Sequence, residues 1–152
     1  STVVLSAVVT DQRRSQAKLR RSNRQLAQNE ERFRLAIEAV GGGVINLSAI
    51  TYDALCSAWI SYFGVAGMDG RGYMKEGMKL GSGYAFDELG LHRLEANIQP
   101  DNLASIALVK SVGFKYEGLA RRLLNINGKW RDHERWALTA EGWREARGRY
   151  PR

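Results

Sequence analysis

The sequence predicts an α/β fold, a mixed sheet with helices on its faces, ordered β-β-α-β-α-β-β-β-α behind one long N-terminal helix. Three observations carry this. β-branched, alternating runs recur between helical stretches marked by glycine. Asn102 and Gly113 bracket a short apolar segment as a helix start and stop would. Asn127-Gly128 joins two alternating runs, the pattern of a two-residue hairpin.

The elements follow in order. Asp11 to Val40 holds no Gly or Pro and is rich in Arg, Gln, Ala and Leu, which favour helix. Leu19, Leu26, Phe33 and Val40 recur every seven residues, while Gln16, Asn23 and Glu30 make the companion seam polar. These features predict one helix, exposed on most sides, ended by Gly41-Gly42-Gly43. The chain therefore divides into a basic helix over 1–42, a main domain over 43–147 and a tail over 148–152.

Beyond the glycines, Val44–Ser48 and Ala58–Phe63 read as strands, and Gly64 to Gly72 breaks regular structure. Tyr73 to Leu89 reads as a helix weakened by Gly77, Gly81 and Gly83. Arg93–Ile98 is a strand, Pro100-Asp-Asn102 a turn and cap, and Leu103–Val112 a helix. Phe114–Glu117, Ala120–Ile126 and Trp130–Leu138 are strands, and Thr139 caps a last helix through Arg147.

Composition narrows the function. Of 152 residues, 44% are apolar and 26% charged, as in an ordinary globular protein. The net charge of +7 suits nucleic acid, an anionic surface or a polyanionic small ligand. More than half of that excess lies in the first 42 residues, so it says little about the main domain. The arginines over 13–24 read as a solvated helix face, and neither a nucleic-acid nor a membrane partner is expected. Ser1 to Val9 is apolar but far short of the ~20 residues that span a bilayer. The chain does not begin with Met, which fits a start inside a longer reading frame.

Cys56, the single cysteine, excludes an internal disulfide and reads as a small buried apolar group; a cytoplasmic setting is expected. His92 and His133 lack ligands spaced to complete a metal site, so no metal is expected. Trp130 and Trp136 are expected to pack the last hairpin.

The chemistry points to a phosphate ligand. Asp69-Gly-Arg-Gly-Tyr-Met74 follows a strand and opens a helix, where small residues and free N–H groups can hold a pyrophosphate. A turn of this kind is often only a turn. Downstream come Leu91-His-Arg-Leu-Glu-Ala-Asn-Ile-Gln-Pro-Asp-Asn-Leu-Ala-Ser105, Ala107-Leu-Val-Lys-Ser-Val-Gly-Phe114, Glu117-Gly118 and Asn127-Gly-Lys-Trp-Arg-Asp-His133.

In order and spacing these motifs resemble the GNAT superfamily of N-acetyltransferases, and within it the Rim branch that acetylates N-termini of ribosomal proteins. The likeness runs from about Gly43 to Trp143. It implies a partial GNAT fold with acetyl-CoA as substrate and a protein N-terminus as acceptor. It places backbone groups of Tyr62, Phe63 and Gly64 against the pantetheine arm. Gly70, Arg71, Gly72, Tyr73 and Met74 would hold the pyrophosphate, and Asn102 would begin the helix nearest the thiol. Val109 stands where much of the superfamily has a tyrosine acid. In the Rim branch a serine three residues after the Asn takes that role, which makes Ser105 the candidate catalytic acid; as a helix residue it could also be mere filler. Asp69, Trp59 and Arg122 depart from the branch, and no general base is evident.

Residues 12–26 and 29–40 resemble instead the linker and first helix of a PAS domain in bacterial sensor proteins, with Val3–Val9 the stub of a membrane helix. On that likeness the strand, two helices and strand that GNAT proteins place before Gly43–Ser48 are missing. An open sheet edge would remain, able to pair with a second copy of the chain, as would the N-terminal helix. Three readings stay open: an acetyltransferase impaired by that loss, a non-catalytic remnant that binds CoA or a partner, and an interaction module of a signalling protein.

Overall fold

The computed structural model describes residues 6–9, 33–39, 43–63 and 72–148. Its strands are β1 (Ser6–Val9), β2 (Phe33–Ala39), β3 (Gly43–Thr51), β4 (Ser57–Phe63), β5 (Arg93–Ile98), β6 (Lys115–Ile126) and β7 (Lys129–Thr139). They form one sheet in the order β1-β2-β3-β4-β5-β7-β6. Every neighbouring pair is antiparallel except β4 and β5, which run parallel. The helices are α1 (Tyr73–Gly83), α2 (Leu103–Val112) and α3 (Ala140–Gly148).

Period-two burial sets the core. Leu94, Ala96 and Ile98 of β5 are buried, while Arg93, Glu95 and Asn97 between them are only half-buried. Ala58 and Ile60 of β4 and Ile45 and Leu47 of β3 join the same core. Met78 of α1, Val109 and Val112 of α2 and Trp143 of α3 pack against them. Each large apolar side chain so buried contributes about 1.5–3 kcal/mol. β5 and α2 have the limits expected of them, and Gly142 N–H donates to Thr139 Oγ1 at 3.1 Å at the start of α3. Asn127 and Gly128 have φ of 52° and 85°, the two positive values of a type I′ hairpin.

Three expectations are corrected. The helix expected over Asp11 to Val40 does not extend through 33–39, which form β2 and pair with β3 from Ala39↔Gly43 to Phe33↔Ile50. The part of that helix over 11–32 lies outside the described residues. Within the Val3–Val9 segment, read as a membrane stub, Ser6–Val9 form strand β1 against β2. β3 thus has no open edge through which a second copy could pair. Gly43 opens β3 instead of ending a helix, and Met74 Sδ lies where a Cβ on Gly43 would come within 2.7 Å.

The remaining corrections are local. Phe114–Glu117 and Ala120–Ile126 are not two strands: Lys115–Ile126 runs as one, kinked by register shifts between Tyr116 and Gly118 and between Ala120 and Leu124. The helix expected to Leu89 turns π-helical over Tyr84–Glu88. Among the described residues no helix is long and apolar enough to cross a membrane.

Candidate active site

The parallel ladder between β4 and β5 is short. It joins Ser57 to Arg93, Ala58 to Leu94 and Trp59 to Glu95, and ends there. β4 continues to Phe63 and β5 to Ile98, each held on its outer side by β3 or β7. The inner edges past Trp59 and Glu95 therefore have no sheet partner. An extended ligand with amide groups can bond to such edges as a strand would. At the closed end, Cys56 C=O accepts from His92 N–H at 2.8 Å and Arg93 N–H at 3.3 Å, tying the strands together. Cys56 is half-buried, and its thiol reaches Gly90 C=O at 3.5 Å.

Helix α2 begins beside this gap. Asn102 is its N-cap, with Oδ1 accepting from Ser105 N–H at 3.2 Å. Ser105 is half-buried, and its side chain lies near the Tyr62 hydroxyl of β4. Burial pushes the Tyr62 phenol above its ordinary value, and the nearby Ser105 side chain partly offsets this. Tyr62, Asn102 and Ser105 thus meet at one place. Phe63, one residue further on β4, is exposed. Val109 is fully buried in the core.

Helix α1 begins at Gly72, whose φ of 75° is left-handed and costly for a residue with a Cβ. No side chain caps this end, and nothing lies within 4 Å of where a Gly72 Cβ would be. The N–H groups of Tyr73 and Met74 precede the first bond of the helix, Glu76 N–H to Gly72 C=O at 3.1 Å. Glu76 lies in this first turn and repels an anion there. Gly64, Gly70 and Arg71 lie outside the described residues.

Sequence patterning missed a charged group beside the closed end of the gap. Arg93 Nε donates to Glu95 at 2.8 Å, Arg93 also pairs with Glu117, and Arg135 reaches Glu95 at 3.1 Å. The Arg93 guanidinium holds Glu117 below the usual carboxylate range. Period two along β5 put Arg93 and Glu95 on one face, the signal that could have found them. The same period on β4 puts Tyr62 with Ala58 and Ile60, facing the helices. Asn97, on the open stretch of β5, keeps a buried side-chain oxygen with no hydrogen-bond partner among the described residues.

The other singled-out residues have plainer surroundings. Trp59 is half-buried opposite Glu95, and Arg122 is exposed, its N–H donating to Asp132 at 2.8 Å. His92 pairs with Glu141 at 2.9 Å, and His133 Nδ1 lies 2.9 Å from Arg131 C=O. Among the described residues no three His, Cys, Asp or Glu side chains cluster as metal ligands would.

A sheet splayed between two parallel strands, with helix starts at Gly72 and Asn102 flanking the gap, has counterparts among known proteins. The profile of the acetyltransferase (GNAT) domain matches residues 4–115. The chain belongs to the GNAT acetyltransferase family. The GNAT match begins two residues before β1 and includes β2, so it takes in most of the first 42 residues.

Among GNAT relatives, the chain is 43% identical over 96 residues to a probable N-acetyltransferase, YjcK, of Bacillus subtilis, covering 63% of this chain and 53% of the relative. It is 33% identical over 105 residues to the ribosomal protein uS5-alanine N-acetyltransferase of Escherichia coli, covering 69% and 54%. The chain spans about half the length of these curated relatives. The structure of Mycobacterium smegmatis RimJ in complex with CoA-disulfide superimposes with a TM-score of 0.67 at 35% identity, over 84% of this chain and 62% of that one. A spermidine N-acetyltransferase chimera of Vibrio cholerae SpeG and hSSAT, 19% identical, shares the GNAT fold with a TM-score of 0.69 over 94% and 98%.

Proposed function

We propose that this chain transfers an acetyl group from acetyl-CoA to an amine, and that the amine is the α-amine of a protein N-terminus. The observation that carries the reading is the gap between β4 and β5, closed at Trp59–Glu95 and flanked by Ser105. Pantetheine amides fit the unpaired edge of Tyr62 and Phe63 and the Gly64 that follows them in sequence. The pyrophosphate fits the segment Gly70, Arg71, Gly72, Tyr73 and Met74, where Gly72 leaves open space and helix α1 offers free N–H groups. Asn102 sets the first turn of α2, and Ser105 is the proton donor for the departing thiolate.

The choice of acceptor has two supports. Relatives named as ribosomal protein uS5-alanine N-acetyltransferases match 69% of the chain. An α-amine, with pKa about 8, is substantially neutral at pH 7.5, so it needs no strong base, whereas lysine at about 10.4 does. Acetyl-CoA binding by calorimetry and thiol release with an N-terminal uS5 peptide test the reading. Binding and turnover with that peptide, and little with a lysine side chain, are expected. No binding overturns the reading; binding without turnover leaves the non-catalytic remnant in its place.

A further inference from the structure

We infer that the free end of the β6–β7 ribbon docks single-stranded RNA, with Trp130 stacking on a base and Lys129, Arg131 and the facing arginines of β6 holding phosphates. The inference goes beyond the acetyl-transfer reading and uses no residue of the proposed cofactor site. β7 pairs with β5 only from Thr139↔Arg93 to Glu134↔Ile98. Nearer the Asn127-Gly128 turn it pairs with β6 alone, so its other edge has no sheet partner among the described residues. Lys129, Trp130, Arg131 and Asp132 are all exposed, so the ribbon is open on both faces there. Trp130, expected to pack the hairpin, is instead 61% exposed, whereas Trp136 is buried.

Alternation along β7 puts Trp130 and Asp132 on one face and Lys129 and Arg131 on the other, with the two cations about 7 Å apart along the strand. Across the ribbon, the register shift between Ala120 and Leu124 takes in Arg121 and Arg122, both exposed. Arg122 N–H donates to Asp132 at 2.8 Å, which ties the two strands together. From Ala120 to His133 the ribbon carries four cations and one carboxylate. None of these four cations has an ion-pair partner among the described residues. Charge alone on a free edge keeps chains apart. A tryptophan exposed in the middle of that edge works against this purpose. Together they suit a partner with flat apolar faces and negative charge. A nucleic-acid strand laid along the edge offers both, its bases toward the Trp130 face and its phosphates toward Lys129 and Arg131. The bases must be unpaired to stack on an indole, which excludes a duplex. The Asp132 carboxylate, on the Trp130 face, repels phosphate but accepts from a ribose 2′-hydroxyl, which RNA has and DNA lacks. The expectation of no nucleic-acid partner concerns the arginines over 13–24. The cations here meet only through the register of β6 and β7, which composition does not show.

The test is fluorescence anisotropy of a labelled oligouridine of about a dozen nucleotides with the full chain, at low and raised salt. Wild type should bind, and more weakly as salt rises. Trp130→Ala should weaken binding about tenfold without changing the salt dependence, because stacking releases no counterions, and Trp130→Phe should restore much of the loss. The triple variant Arg121→Gln, Lys129→Gln, Arg131→Gln should weaken binding and flatten the slope of log affinity against log salt by about two, at ~0.7 per phosphate on a single strand. A second triple variant, Arg13→Gln, Arg14→Gln, Arg20→Gln, removes the same charge elsewhere and should lose far less affinity. Thermal unfolding checks that every variant is folded. No binding by wild type, or equal loss in the two triple variants, overturns the inference. Equal affinity for polyglutamate, or for the deoxy form of the oligomer, also overturns it, since the ribbon would then dock acidic chains or single strands of either kind.

Discussion

Asn102 Oδ1 accepts the Ser105 amide hydrogen at 3.2 Å, closing the first turn of α2 at the mouth of the gap between β4 and β5. One contact thereby joins two residues singled out by the motif, and it gives Asn102 a structural role independent of any ligand. Asn102→Ala should cost about 1 kcal/mol of stability, the usual worth of an N-cap, while Asn102→Asp, an equally good cap, should cost little. Urea denaturation reads both. If Asn102 instead acts mainly on the ligand, Asn102→Ala will keep the midpoint of wild type and lose acetyl-CoA affinity.

Gly72 separates backbone strain from ligand contact. Its φ is 75° and Gly90 has a φ of 66°, and neither has an atom within 4 Å of its missing Cβ. Gly72→Ala and Gly90→Ala should therefore lose similar stability, roughly 1–2 kcal/mol each. Only Gly72→Ala should weaken acetyl-CoA binding, since only that Cβ enters the proposed pyrophosphate site. Equal affinity of the two variants, measured by calorimetry, would remove Gly72 from the site.

The elements legible in the sequence were those with local punctuation. β5 and α2 were readable to their ends because alternation, the Asn102 cap and Gly113 all agree within one short stretch. β2 was misread because Arg, Ala, Leu and Glu favour helix, although Phe33, Leu35 and Ile37 alternate with Arg34 and Glu38 as a strand requires. Pairing with β3 overrides propensity there. Gly118 and Leu119 fell between two expected strands and lie within one, with a register shift beside Gly118, because β7 continues past them. At the site, the identity of Ser105 and Asn102 could be read from a motif. The approach of Tyr62 to Ser105 could not, since it brings β4 to α2 across the sheet gap. The ion pairs of Arg93 with Glu95 and Glu117 likewise need the registers of three strands.

Glu117 gives a pH signature. Arg93 holds its folded value below the ordinary 4.5. A depressed carboxylate stabilises the fold fully above its unfolded value and loses that contribution as pH falls through the folded one. Glu117→Gln should thus destabilise at pH 7 by under about 1 kcal/mol, a partly exposed pair being screened by solvent. The difference from wild type should shrink below pH 4.5. Chemical denaturation at a series of pH values checks this; a gap that is constant down to acid pH would show that Glu117 acts through packing.

The N-terminal segment provides the last prediction. No residue proposed to touch acetyl-CoA lies before β4, so the division near Gly41–Gly43 separates the chemistry from the first 42 residues. The sheet does not divide there, because β2 covers the edge of β3 along most of its length. Removing residues 1–42 exposes the N–H and C=O groups of β3 as a template for pairing with other chains. The shortened chain should therefore aggregate at concentrations where the full chain is monodisperse, as light scattering will read. A lysine on the new edge, Val44→Lys, should restore solubility, since charge on an edge strand opposes pairing. In that soluble variant the acetyl-CoA affinity should equal that of the full chain carrying the same substitution. A lower affinity in a folded, monodisperse product would show that the first 42 residues help to build the cofactor site, and the division at the glycines would fail for chemistry as well as for the sheet.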